Sequence, residues 1–126
     1  MHQINDSAAA YYIFKNDYNP FCEEFWLLTL DTQLNLINKT LLSRGTLNFC
    51  LVHPRDLFRQ AVRDNAFNLL IAHNHPSGNL QPTSADIQMT KNLRRLSLLL
   101  QIPIVDHIIF SNCDYYSFKQ NRLIFK

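Results

Sequence analysis

Short apolar runs alternate with polar breaks along the chain, and the length of each run separates predicted strands from predicted helices. Residues Ser7–Phe14 predict a short helix with a cap at Asp6 or Ser7, and Pro20 favours extended backbone after it. The compact apolar run Glu23–Asp31 predicts a buried strand. The polar turn TQLN separates this run from LINKTLLS, and we predict that the two pair as an antiparallel hairpin.

The second half of the chain mixes helical and extended patterns. LNFCLVH, after Gly45, predicts a third strand, and PRDLFRQAVRDNA predicts a helix that starts at Pro54. FNLLIA predicts a buried strand that leads straight into His73, and a long helical pattern runs from about Ser84 to Leu100. IPIVDHIIF, YYSF and RLIFK predict the final strands. This order predicts an α/β (α+β) fold in which helices sandwich a mixed β-sheet.

Length and composition predict one ordered domain over residues 1–126. Apolar residues make up 47% of the chain, which is enough for a core, and we expect Trp26 and the phenylalanines to lie in it. The formal charge is only +2, so a nucleic-acid partner is possible but weakly supported. The three cysteines form no Cys-x-x-Cys pair, which favours a reducing compartment. Without a signal peptide or a long apolar run, we expect a cytoplasmic protein with no membrane partner.

The stretch AHNHPSG carries the candidate chemistry. His73 and His75 are two residues apart at the end of a predicted strand, so both rings point to one side and can bind a metal. The turn-rich loop that follows can bring Asp86 back as a third ligand, although TSAD is also close to a helix capping box. Two imidazoles and one carboxylate leave a position open for water, as in catalytic zinc sites. The simpler alternative is a pair of turn histidines bonded to backbone.

A catalytic site of this kind also needs a general base. The chain has only two glutamates, Glu23 and Glu24, and they are adjacent in a predicted strand. Their side chains should therefore point to opposite faces, so that only one of them can face the metal. By position alone, a solvent-exposed charge at the strand end is the simpler interpretation of Glu23.

Four separated motifs, GTLN, VHPRDLF, AHNHPSG and DHIIF, resemble the C-terminal domain of the RadC family, within the JAMM (MPN+) metallohydrolase superfamily. The likeness runs from about Ser7 to the end of the chain. It implies a JAMM fold like that of the cytidine deaminases. Longer RadC proteins carry a preceding helix-hairpin-helix region, which we expect this sequence to lack, either as a naturally short member or as an excised domain.

The resemblance also implies roles for individual residues. His73, His75 and Asp86 correspond to the zinc ligands of the family. Glu23, two residues before a phenylalanine, corresponds to its glutamate base, with Glu24 as the second choice. The family serine falls at Thr83, which keeps the hydroxyl.

Ser84, next to Thr83, is a substitute for that serine. Of the remaining candidates, His107 in DHIIF is expected to be a core histidine satisfied by Asp106 or backbone rather than a fourth metal ligand, with an indirect role at the metal as the alternative. Arginines recur every fourth residue from Arg55 to Arg63, which is more typical of a solvated helix face than of a phosphate-binding stripe.

These observations predict a Zn²⁺-dependent hydrolase of the peptidase or isopeptidase type, acting on a peptide or protein substrate. The alternative is an accessory protein associated with DNA repair or a mobile element, which acts by binding DNA or protein without catalysis. A zinc site kept only for structure is a third possibility. The oligomeric state and the particular substrate do not follow from the sequence.

Overall fold

The computed structural model describes residues 2–45 and 52–125, and in these residues three helices flank one five-stranded sheet. The helices are α1 (Ser7–Phe14), α2 (Pro54–Arg63) and α3 (Ser84–Leu99). The strands are β1 (Glu23–Leu30), β2 (Leu36–Gly45), β3 (Asn68–Asn74), β4 (Ile104–Phe110) and β5 (Tyr115–Ser117). The predicted mixed α/β fold is confirmed. None of the described helices has the length and apolar character needed to cross a membrane.

The strand order is β2-β1-β3-β4-β5. β1 pairs with β2 and β3 in antiparallel fashion, β3 and β4 are parallel, and β5 closes the edge antiparallel to β4. In this register Phe25 of β1 lies opposite His73 of β3, and His73 lies opposite Ile109 of β4. The end of β3 is therefore held between two strands, and a side chain there has a defined direction.

The two faces of the sheet are covered by different helices. Alternation along β3 turns Leu69 and Ile71 to the core under α2 and α3, while Leu70 and Ala72 face α1. All four side chains are at most 2% exposed, so β3 is apolar on both faces. His73 continues the first series and so points toward α3.

Helix ends place the loops around the sheet. Asp6, His53 and Thr83 cap the three helices by accepting a backbone N–H through their side chains. Past the end of α3, Gln101 has φ 60°, and the N–H of Ile102 donates to the carbonyl of Ser97, as in a Schellman motif. The chain then turns at once into β4, whose start lies beside the start of β3.

Two structural expectations drawn from the sequence are wrong. The described residues of RLIFK, 122–125, do not form a strand, because Arg122 and Ile124 adopt positive φ and curl the chain so that Phe125 is buried in the core. The phenylalanines are not all in the core either, since Phe21 and Phe67 are 84% and 53% exposed. Most of the strand predicted at LNFCLVH, residues 47–51 of 47–53, lies outside the described residues.

Candidate metal centre

Three separate elements bring the candidate side chains together. His73 lies near the end of β3 and His75 just beyond it, while Asp86 lies in the first turn of α3. Glu23 begins β1 two residues before Phe25, the partner of His73, and therefore points to the same face of the sheet. The four residues form a group in which one ligand atom from each lies within 4.8 Å of every other.

The contacts in this group are short. The Nε2 atoms of His73 and His75 are 3.0 Å apart, and each also contacts Asp86, at 3.2 Å to Oδ1 and 3.0 Å to Oδ2 respectively. Glu23 Oε1 lies 3.7 Å from His73 Nε2. Ligand atoms around a tetrahedral zinc ion with bonds of about 2.1 Å are about 3.4 Å apart. The His73, His75 and Asp86 atoms therefore fit such an ion after shifts of a few tenths of an ångström.

Burial makes this arrangement costly without a cation. Residues Glu23, His73 and Asp86 are each at most 8% exposed, and two of them are carboxylates. Clustered carboxylates away from water are destabilising unless positive charge compensates them. The donor set of two imidazoles and two carboxylates is thus one that suits a divalent metal ion.

The second nitrogen of each histidine ring is also bonded. His75 Nδ1 lies 2.7 Å from the carbonyl oxygen of Asn79, and His73 Nδ1 lies 2.7 Å from Nε2 of His107. The Nδ1 of His107 is in turn 2.6 Å from Oγ1 of Thr90. Such partners orient an imidazole so that its other nitrogen faces the metal.

A tight turn and a cap return the chain from β3 to Asp86. The N–H of Gly78 donates to the carbonyl of His75 at 2.9 Å, and the φ of 82° at Gly78 is one that glycine adopts without strain. Thr83 and Asp86 then form a reciprocal capping box. Because the Thr83 N–H donates to Asp86 Oδ2 at 2.8 Å, Asp86 acts both as a cap and as a member of the cluster.

The histidines dominate the electrostatics of Asp86. Burial by itself raises the pKa of the Asp86 carboxyl, but its close contacts with His73 and His75 and the hydrogen bond from the Thr83 N–H outweigh burial and hold that pKa well below its usual range. Burial likewise lowers the pKa of His75, but its bonds to Asp86 and Asn79 overcome this and raise it. Asp86 is therefore a carboxylate over the whole physiological range of pH.

The pKa of Glu23 is shifted in the opposite direction to that of Asp86. Burial raises the pKa of its carboxyl and the nearby Asp86 charge adds to the rise, while His73 and His75 oppose it. A carboxyl whose pKa is raised toward the working pH is better able to accept and return a proton. Glu23 and Asp86 are thus two carboxylates in one site with pKa values pushed apart.

Glu24 points to the other face of the sheet. Its carboxylate is 2.6 Å from the guanidinium of Arg44, and its N–H donates to Oδ1 of Asn74 at 2.9 Å. The amide of Asn74 also donates to the carbonyl of Cys22 at 2.9 Å. Asn74, the middle residue of His-Asn-His, thus anchors the chain on both sides of Glu23. Sequence reasoning passed over this residue, although its position between the two histidines was the available signal.

His107 differs in part from the expectation. It is a fully buried core histidine, but Thr90 and His73 bond its ring, while Asp106 accepts its backbone N–H. Burial, reinforced by His73, holds the pKa of His107 well below its usual value. Thr90 was not singled out by sequence, because a threonine inside a helix carries no distinctive signal.

The remaining candidates lie at the edge of the cluster or outside it. Thr83 and Ser84 are both exposed, and Thr83 Oγ1 accepts the N–H of Asp86 at 3.1 Å. On α2, Arg59 is exposed and lies 3.2 Å from the partly exposed Asp56, which agrees with a solvated helix face. The free cysteines of the described residues, Cys22 and Cys113, lie outside the cluster.

Taken together, a mixed sheet with two histidines at the end of a central strand and a carboxylate at the next helix start defines a protein with a candidate metal centre. The family model described as the RadC-like JAB domain matches residues 4–123. The chain therefore belongs to the RadC family, as its motifs predict.

Curated relatives agree with this assignment. The chain is 46% identical over 98 residues to a UPF0758 protein of Thermosynechococcus vestitus, a match of 78% of this chain and 39% of that protein. It is 41% identical over 118 residues to a UPF0758 protein of Finegoldia magna, covering 93% of this chain and 53% of the relative. The chain thus spans about half the length of the curated relatives it matches.

Proposed function

We propose that this domain is a zinc-dependent hydrolase that cleaves peptide or isopeptide bonds. The observation that carries the proposal is the convergence of His73, His75 and Asp86 with a second carboxylate, Glu23, whose pKa is raised. A purely structural zinc site has four protein ligands and needs no base. A fourth group that is poised to exchange a proton instead favours catalysis.

In this proposal His73 Nε2, His75 Nε2 and Asp86 hold the zinc ion. Bound zinc supplies Lewis-acid chemistry, since it lowers the pKa of water to about 7 and polarises a substrate carbonyl. Asp86 stays ionised, because its pKa is held low, and its charge offsets the positive metal. The Nδ1 contacts of both histidines keep their rings turned into the site.

Glu23 is the proposed general base and acid. Its carboxylate takes the proton of the attacking water and then passes it to the nitrogen of the leaving amine. Its 3.7 Å separation from His73 Nε2 places the carboxylate beside the metal ligands. A mostly buried position keeps bulk water from competing for that proton.

Thr83 and Ser84 are the proposed hydroxyl donors to the negative oxygen that develops on the substrate. Thr83 Oγ1 already accepts the Asp86 N–H, which leaves its own proton for donation. Ser84 is exposed at the next position and is the alternative donor. Donors of this kind stabilise the transition state more than the ground state.

The decisive experiment combines metal analysis with a peptide-library cleavage screen. The wild type should hold about one zinc ion per chain and cleave a subset of peptides. Glu23→Gln should keep the zinc but lose cleavage by about 10²–10⁴-fold. Glu24→Gln is the matched control, because its side chain faces away from the cluster, and it should keep both properties.

Two results would overturn the proposal: a wild type that binds no zinc, or cleavage by Glu23→Gln at the wild-type rate. If the alternative DNA-binding function were correct, steeply salt-dependent binding to DNA would persist after removal of zinc.

A further inference from the structure

We infer that Thr90 and His107 are positioning residues that hold His73 in the tautomer with its proton on Nδ1 and so present Nε2 to the metal. This inference rests on the metal site of the proposed function, although not on hydrolysis. It follows from the direction of three consecutive hydrogen bonds that run from His73 through His107 and Thr90 to the backbone of Asp86.

The direction is set at the Thr90 end. Thr90 Oγ1 lies 2.7 Å from the carbonyl oxygen of Asp86, and a carbonyl can only accept. The single hydroxyl proton of Thr90 is therefore used in this bond. In its 2.6 Å contact with His107, Thr90 must then accept, so the proton of that bond is on His107 Nδ1.

The next bond follows from the surroundings of His107. Its ring is fully buried, stacks on Phe118 with a centroid distance of 4.5 Å and meets the edge of Phe25 at 5.8 Å. A second ring proton would place a charge between these aromatic rings, which is costly. With its proton on Nδ1, His107 offers Nε2 as an acceptor, and His73 Nδ1 donates to it across 2.7 Å.

This arrangement of protons determines the state of His73 Nε2, the atom that faces the cluster. With its proton on Nδ1, neutral His73 has a bare Nε2, 3.0 Å from His75 Nε2 and 3.2 Å from Asp86 Oδ1. The competing tautomer would donate from Nε2 to the Asp86 carboxylate and so put a proton where the metal binds. The Thr90–His107 pair selects against that tautomer. Because the bonds end on the Asp86 backbone, they also tie two of the proposed ligands together.

The test compares Thr90→Val, which has the same shape but no hydroxyl, with Thr90→Ser, which restores the hydroxyl. Zinc affinity is measured by competition with a chromophoric chelator, and the His73 tautomer by ¹⁵N NMR of the metal-free protein. Thr90→Val should bind zinc about 10–100-fold more weakly and show protonation at Nε2 of His73, while Thr90→Ser stays near the wild type.

Ser97→Ala is the matched structural control. Ser97 is a fully buried hydroxyl on the same helix, it donates to the carbonyl of Arg94 at 2.8 Å and accepts the N–H of Ile104 at 3.1 Å. The substitution should lower the melting temperature without changing zinc affinity or the His73 tautomer. A second pair, His107→Gln and His107→Met, covers the case in which Thr90→Val does not fold. Glutamine offers an amide oxygen to His73 Nδ1, whereas the methionine sulfur is a weak acceptor, so His107→Gln should bind zinc at least about tenfold more tightly than His107→Met.

The inference is overturned if folded Thr90→Val keeps the wild-type tautomer, whether or not zinc affinity falls, since a fall alone would then be structural. It is also overturned if Thr90→Val matches Ser97→Ala in zinc affinity. A wild type that binds no zinc would instead overturn the proposed function, and the tautomer measurement would still decide the direction of the hydrogen bonds.

Discussion

Two buried polar clusters lie on opposite faces of the sheet, and both involve neighbouring residues of β4. Asp106 faces α1, where Oδ1 accepts from the N–H groups of His107 and Lys119 at 2.7 and 3.0 Å. Its Oδ2 accepts from the hydroxyls of Ser117 and Ser7 at 2.6 and 3.2 Å. Four donors meet one carboxylate, so each of its oxygens has two partners. Burial still raises the pKa of Asp106, with the donors acting in the opposite direction.

In the cluster on the α3 face, by contrast, donors are too few for the acceptors. Here the carboxylates of Glu23 and Asp86 meet two imidazole nitrogens that are 3.0 Å apart, and the Thr83 N–H adds a backbone donor, at 2.8 Å to Asp86. The carboxylate oxygens and imidazole nitrogens that can accept a hydrogen bond in this cluster therefore outnumber the protons that their neighbours donate. Burial of polar groups alone therefore does not indicate function, because the Asp106 carboxylate is fully hydrogen-bonded and a structural role is enough to explain its cluster. A shortage of positive charge does indicate function, and a metal ion removes it.

The largest expected difference between the two clusters is in their effect on stabilisation by zinc, which should depend on the cluster around His73 and not on the Asp106 cluster. At about 1,000 times its dissociation constant, zinc should stabilise the wild type by about 4 kcal/mol, a rise in melting temperature on the order of 10 °C. His75→Ala should lose this rise, because it removes a ligand. Thermal unfolding with zinc and with chelator measures the difference.

Asp106→Asn serves as the control in the same unfolding experiment. It changes the cluster on the opposite face and should keep the zinc-induced rise. A full zinc-induced rise in the melting temperature of His75→Ala, or loss of that rise in Asp106→Asn, would contradict the distinction between a metal site and a structural cluster.

Removal of the Asp106 carboxylate should cost stability without affecting zinc. Asp106→Ala leaves four donors without their acceptor, most of them buried, and we expect the free energy of unfolding to fall by about 3 kcal/mol or more. Denaturant unfolding of the metal-free protein measures the fall. Asp106→Asn keeps one oxygen and should lose less, which provides a measurement if the alanine variant does not fold. An unchanged free energy of unfolding in Asp106→Asn and Asp106→Ala alike would contradict the structural role.

The smallest expected effect is the pH dependence of the metal-free cluster. The lowered pKa of Asp86 gives stability that is present above its ordinary value of 3.8 and lost as the pH falls through the folded value. The raised pKa of His75 gives stability that is present below 6.5 and lost as the pH rises through the folded value. Both contributions are therefore present together between about pH 4 and 6.5.

The stability difference between wild type and Asp86→Asn, measured with chelator present, should be largest in that window and smaller at pH 8. Glu23 has a raised pKa and works in the opposite sense to Asp86, but it is present in both proteins and largely cancels. A difference that grows steadily up to pH 9 would show that the Asp86–His75 pair does not govern the metal-free cluster.

Local patterns were enough to predict much of this molecule. The helix predicted at Ser7–Phe14 has those bounds, and the strand and long helix around His-x-His are also present. The capping box at Thr83 is confirmed too. These features depend on residues within a few positions of each other, where periodicity, turns and caps act directly.

The sequence by itself therefore determined the mixed fold, the family and the direction shared by His73 and His75. It also required that Glu23 and Glu24 point to opposite faces, but not which of them faces the histidines. Only the tertiary structure decided that, because the answer depends on the pairing of Phe25 with His73, residues that are far apart along the chain.

The same holds for His107, whose partners come from another strand and a helix. Strand register and helix docking are long-range properties, and a shift of one residue would turn every side chain of β1 to the other face.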